Sequence, residues 1–186
     1  MKKRNIIIAI IAIIVVVAVA VTIWIISSKY KTSGLNPANP ATASERTPSA
    51  RGILTVSNET ASAGDEVKVK VSVKDNPGIL GMTLSVNYVT GALTLTDAEN
   101  GEAVKDILTF TKPGKLQNNC RFLWDGMELS DDQIKDGDVL ILTFKVNEEA
   151  EAGDYPILLT YGQDEIVDRD LAFIDLDVVD GSVTVK

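Results

Sequence analysis

The chain has 186 residues, 18 Lys+Arg against 26 Asp+Glu, and no histidine, a length that suits one domain with extensions. Seven basic residues and one acid precede Gly52, which leaves 11 basic and 25 acidic residues beyond it; so acidic a body is repelled by nucleic-acid phosphates. Without histidine, and without a nucleophile elbow or a phosphate loop, no catalytic constellation is visible, and chance pairs among so many carboxylates are not one.

The chain opens on Lys2, Lys3 and Arg4, and residues 6–26 are apolar throughout except for Thr22. A run of this length spans a bilayer, since a membrane helix needs roughly 20 residues. Trp24 and Tyr30 stand at interface positions, and Lys29 and Lys31 follow. A cleaved secretory signal is the competing reading, with Ala18-Val19-Ala20 as its site. The apolar run continues past that site through Val21, Ile23, Trp24, Ile25 and Ile26, which favours a retained single-pass anchor in residues 1–26. Either reading puts the body outside the cell: tethered to its membrane, or secreted after cleavage. Residues 27–51 are rich in Ser, Thr, Ala, Asn and Pro and lack apolar periodicity, as expected of an extended tether.

From residue 52 to 186 the pattern turns to period two. "EVKVKVSVKD" sets Val67, Val69, Val71 and Val73 against Lys68, Lys70, Ser72 and Lys74. "GMTLSVNY" sets Met82, Leu84, Val86 and Tyr88 against Gly81, Thr83, Ser85 and Asn87, and "NCRFLWD" sets Cys120, Phe122 and Trp124 against Asn119, Arg121, Leu123 and Asp125. In "GDVLILTFKV" the inner row is Leu140, Leu142, Phe144 and Val146, yet Val139 and Ile141 fall on the polar side with Thr143. "ILTVS", "ALTLT", "ILTFT", "YPILLTY", "LAFIDL" and "GSVTV" complete the strand-like runs, separated by turn signals such as Asn76-Pro77-Gly78 and Asp180-Gly181. Many short alternating strands predict an all-β antiparallel sandwich or jelly roll. Cys120 is the only cysteine, so no intrachain disulfide or zinc spacing arises, and it reads as a small buried apolar residue.

Taken in order, "GDEVKVKVSVKD", "GMTLSVNY", "FLWDG", "DGDVLILTFKVNEEAEAGDYPI" and "FIDLDVVDGSVTVK" resemble a cohesin domain across the body. The sequence departs from the family at Val89, where an Asp commonly follows the Tyr, and at Gly81 and Thr83, which often carry Asn and Asp. The resemblance implies a nine-stranded jelly-roll sandwich without a cofactor of its own. It implies a dockerin-bearing partner, the dockerin being a small calcium-loaded helical module on plant-cell-wall- or starch-degrading enzymes and on scaffold proteins. The calcium then belongs to the partner, and polysaccharide is engaged only indirectly.

The family's docking face, as the resemblance implies it, is built from the strands matching "GMTLSVNY", "NCRFLWD", "DVLILTFKV" and one late strand. That selects Thr83, Ser85, Asn87, Arg121, Leu123, Val139, Ile141 and Thr143. Leu123, Val139 and Ile141 would form an apolar patch with a polar rim if adjacent and uncovered; a loop of the same chain covering them is the alternative. The acidic loop of residues 125–138 supplies Glu128 and Leu129 as further expected contacts. "DLDVVDG" does not spell a calcium loop, because Val179 occupies a position that needs an oxygen ligand. Two other functions remain open: a carbohydrate-binding module, which would need a row of exposed aromatic rings, and a generic surface-adhesion sandwich.

Overall fold

The computed structural model describes residues 51–186; the expected membrane segment and all of the expected tether but Arg51 lie outside the described residues. Twelve strand segments form two sheets. In chain order they are β1 Ile53–Val56, β2 Asn58–Ala61, β3 Glu66–Lys74, β4 Ile79–Tyr88, β5 Leu93–Asn100, β6 Thr109–Thr111, β7 Cys120–Asp125, β8 Gly137–Val146, β9 Gly153–Thr160, β10 Ile166–Asp168, β11 Asp177–Val179 and β12 Gly181–Val185. One sheet runs β11-β1-β3-β8-β5; the other runs β2-β12-β9-β4-β7-β6, with β10 also paired to β4. The only helical piece among the described residues is a single 3-10 turn, Asp131–Gln133.

The period-two reading holds where it was clearest. Along β3 the buried residues are Val67, Val69, Val71 and Val73, and along β7 they are Cys120, Phe122 and Trp124. These inner rows meet in one core, where Tyr88 packs edge-on against Phe144 at 5.0 Å and Phe110 lies 4.9 Å from Trp124. The Trp124 indole N–H donates to Asn100 Oδ1 at 2.8 Å, so the largest core side chain keeps a partner for its polar atom. Asn76-Pro77-Gly78 turns as expected: Asn76 Oδ1 accepts from the N–H groups of Gly78 and Ile79, and Gly78 has φ +90°.

Nine strands do not describe the chain as well as twelve segments do. The first run divides at Ser57, so β1 joins one sheet beside β3 while β2 pairs in parallel with β12 in the other. Gly181 permits that crossing, since a side chain there would stand 2.3 Å from the Ser57 carbonyl. The "LAFIDL" run is not a strand either. Phe173 forms only an isolated bridge with Val167, and the strand in this region is β10, whose three residues are too short for periodicity to reveal.

The candidate partner-binding face

The ten candidate site residues separate when the chain folds. β4 and β7 lie in the seven-stranded sheet, whereas β8 is central in the five-stranded one. The outward faces of two packed sheets point in opposite directions, so Leu123 cannot share a patch with Val139 and Ile141. The expected three-residue apolar surface does not form.

Val139 is fully buried, 0% exposed. The reason is a β-bulge. β3 pairs Val71 with Leu140 and then Ser72 with Asp138, skipping Val139. The extra residue lets Val139 and Leu140 both turn inward, which simple alternation cannot represent. The connection after β5 then closes over the bulge: Gly101 N–H donates to Val139 O at 3.0 Å and Ala103 N–H to Asp138 O at 2.9 Å. Gly101 allows this approach, because a side chain would stand 2.1 Å from the Asp138 carbonyl.

Ile141 and Thr143 do face outward, but on the five-stranded sheet, and both are half-buried. Ile141 is flanked by Lys70 of β3 and Glu99 of β5. Lys68 and Glu99 pair at 3.5 Å across β8, and Lys70 reaches Asp138 at 2.9 Å, so ion-paired side chains border the half-buried Ile141. Burial pushes the Asp138 carboxyl up, but hydrogen bonds from Ser72 and Lys70 and the lysine charge outweigh it and hold the group below its ordinary value. Of the acidic-loop pair, Glu128 is exposed and Leu129 is buried, so Leu129 belongs to the interior.

Thr83, Ser85, Asn87, Arg121 and Leu123 do come together, on the outer face of the seven-stranded sheet. The register places Thr83 beside Leu123 and Ser85 beside Arg121. On the other edge of β4, Ser85 pairs with Thr160 and Asn87 with Leu158. Thr111 of β6 continues the Thr83–Leu123 row. Leu123 is 45% exposed and Leu158 is 41% exposed. The result is a flat hydroxyl- and amide-rich surface carrying two separated leucines, polar around apolar in the manner of a docking face. Arg121 pairs with Glu165, whose carboxylate also accepts from the Gly162 N–H.

Leu158 is the residue that sequence reading missed on this face. "YPILLTY" does alternate, and its Leu158 and Thr160 fall on the outer row, but only the pairing of β9 with β4 shows which strands flank it. Aromatic rings are not displayed as a row. Phe122, Trp124, Phe144 and Tyr88 are buried, Phe110, Tyr155 and Tyr161 are half-buried, and Phe173 alone among the described aromatics is exposed.

A family model for the cohesin domain matches residues 53–185. The chain belongs to the cohesin family. Solved structures agree on the fold. A non-cellulosomal cohesin from the hyperthermophilic archaeon Archaeoglobus fulgidus superposes with a TM-score of 0.61 at 16% identity, covering 74% of this chain and 92% of that one. The third cohesin ScaC of Acetivibrio cellulolyticus, solved in complex with the ScaB dockerin, gives 0.61 at 19% identity over 72% of this chain and 98% of that one. A cohesin from a type I cohesin–dockerin complex of Clostridium thermocellum gives 0.59 at 19% identity, covering 74% and 100%. No curated protein matches the chain by sequence. Cohesins are non-catalytic binding modules, which agrees with the absence of a catalytic constellation in the sequence.

Proposed function

We propose that this cohesin domain captures a calcium-loaded dockerin module of a polysaccharide-degrading enzyme or scaffold protein. The observation that carries the reading is the pair Leu123 and Leu158, exposed on a face otherwise made of Thr83, Ser85, Asn87, Thr111 and Thr160. Two related folds come from structures solved with dockerins, which supports the choice of partner. The docking surface is the outer face of the β4-centred sheet, with Thr83, Ser85, Asn87, Arg121 and Leu123 as contacts and Leu158 added. The apolar run of residues 6–26 holds the module at the cell membrane, outside the cell, on the tether of residues 27–51. The domain needs no cofactor; calcium enters through the partner.

Pull-down of purified dockerin modules in calcium, repeated with chelator, tests the reading. Calcium-dependent retention is the expected result, and retention of none of a broad dockerin panel would sink it.

A further inference from the structure

We propose that Asn100–Gly101 is a latent deamidation site, kept unreactive by the fold, and that modification there makes unfolding irreversible. The site lies between the two sheets, apart from the face proposed for docking.

Asn100 is the only asparagine of the chain that is followed by glycine. With no Cβ on Gly101, its backbone nitrogen is unhindered, and in an unfolded chain it can attack the asparagine side-chain amide. The bond from Gly101 N to Asn100 Cγ forms and the Cγ–Nδ2 bond breaks. The side-chain nitrogen takes up the proton lost by the Gly101 amide and leaves as ammonia. Water then opens the cyclic imide at one carbonyl or the other. The products are an aspartate and an isoaspartyl linkage, in which the main chain runs through the former side chain.

The folded domain holds every participant away from this reaction. Asn100 ends β5, opposite Leu140 of β8. Its carboxamide is tied at both ends: Oδ1 accepts from the Trp124 indole N–H at 2.8 Å, and Nδ2 donates to Leu108 O at 3.4 Å. The attacking nitrogen is tied as well, since the buried Gly101 donates its N–H to Val139 O at 3.0 Å. Attack requires the carboxamide to leave Trp124 and Leu108 and the Gly101 nitrogen to give up the proton it shares with Val139. Trp124 belongs to the seven-stranded sheet and Val139 to the five-stranded one. Groups tied across both sheets are released together by a large opening of the domain, not by fraying of one turn.

Both residues are needed where they stand. Asn100 supplies at once the acceptor for Trp124 and the donor for Leu108. A side chain on Gly101 would stand 2.1 Å from the Asp138 carbonyl oxygen and 2.5 Å from Val139 N. Neither product fits the same space. Aspartate still accepts from Trp124 but turns an oxygen toward the Leu108 carbonyl, which loses its donor. The isoaspartyl linkage lengthens the main chain beside Gly101, where there is no room even for a Cβ. A chain modified while unfolded therefore fails to regain the native state.

The test incubates the full chain in detergent at mildly alkaline pH, with and without denaturing guanidinium chloride, and follows Asn100 by peptide mass mapping. The amide-to-acid mass change should accumulate at Asn100 in denaturant. Under native conditions it should be slower by about a hundredfold or more, because about one folded chain in a thousand or fewer is open at any moment. After removal of denaturant, the fraction that regains the native thermal melt should fall in step with the fraction modified. Asn100→Asp, made directly, should melt below the unaltered chain. Equal rates with and without denaturant would overturn the protection by the fold. No modification of Asn100 in denaturant would overturn the site itself. Full recovery of the native melt by modified chains would overturn the irreversibility, as would an Asn100→Asp melt equal to that of the unaltered chain.

Discussion

Arg121 and Glu165 form an ion pair that reaches across the central strand of the proposed docking face. Arg121 sits on β7, beside Ser85 of β4, while the Glu165 carbonyl accepts from the Thr83 N–H on the opposite edge of that strand. The pair therefore frames Thr83 and Ser85. Its arginine side chain is 60% exposed. Exposed pairs contribute little to folding, so Arg121→Ala should change stability by less than about 1 kcal/mol in urea titrations. Its effect should appear in association with the partner, as a changed rate whose salt dependence differs from that of the unaltered chain. An unfolding midpoint that collapses would make the pair a structural tie instead.

Leu123 and Ile141 now predict different outcomes, although both are apolar side chains on strand faces that alternate toward solvent. Leu123→Asp should weaken partner binding with stability held within about 1 kcal/mol, as for surface changes. Ile141→Asp should leave binding intact, since it lies on the other sheet, and should cost stability because it is half-buried between β3 and β5. Parallel affinity measurements and thermal melts on the two variants decide this. A binding loss in Ile141→Asp without unfolding would return the docking face to the five-stranded sheet.

The bulge at Val139 should be expensive to disturb. Val139→Ala removes fully buried methyls and should destabilise the domain by about 2 kcal/mol, within the range for large-to-small core changes. Gly101→Ala forces a side chain onto the Asp138 carbonyl and should cost about 1–3 kcal/mol, the usual penalty of overpacking. Denaturant midpoints read both. Tolerance of Gly101→Ala would mean that the connection after β5 moves freely over the bulge.

Acid should unfold this domain, and the neutral range should be quiet. A hydrogen bond from Lys112 holds the Asp97 carboxyl below its ordinary value, one from Ser130 does so for Asp132, and the Asn76 and Asp75 N–H groups do so for Asp136. Asp138 is also lowered, against its burial, by Ser72 and Lys70. A carboxyl with a depressed value in the fold stabilises it fully above its unfolded value, near about 4, and that contribution disappears as pH falls through the folded value. Urea midpoints should therefore stay level from neutral pH down to about 4 and drop below it, and the chain has no histidine to titrate in between. Asp138→Asn should blunt the drop; an unchanged acid limb would remove Asp138 from the account.

Alternation along β3, β4 and β7 was enough to name the inner rows of the core and the outward positions Thr83, Ser85, Asn87, Arg121 and Leu123. A side chain's face depends on local backbone geometry with a period of two, and that geometry is encoded in the adjacent residues. The ordered strand motifs likewise disclosed the family that the domain match assigns.

Which outward rows share a surface was a different matter. It depends on which strands become neighbours and where a bulge inserts a residue, and both are settled by contacts between segments distant in the chain. So Val139 went into the core because Ser72 skipped it and Gly101 closed over it. Ile141 went to the far sheet because β8 pairs with β3 and β5. Leu158 came onto the same face as Leu123 because β9 lines one edge of β4 and β7 the other. Away from the bulge, the inward or outward sense of these residues was a local fact; the surface proposed for docking is a property of long-range pairing, which only the folded chain contains.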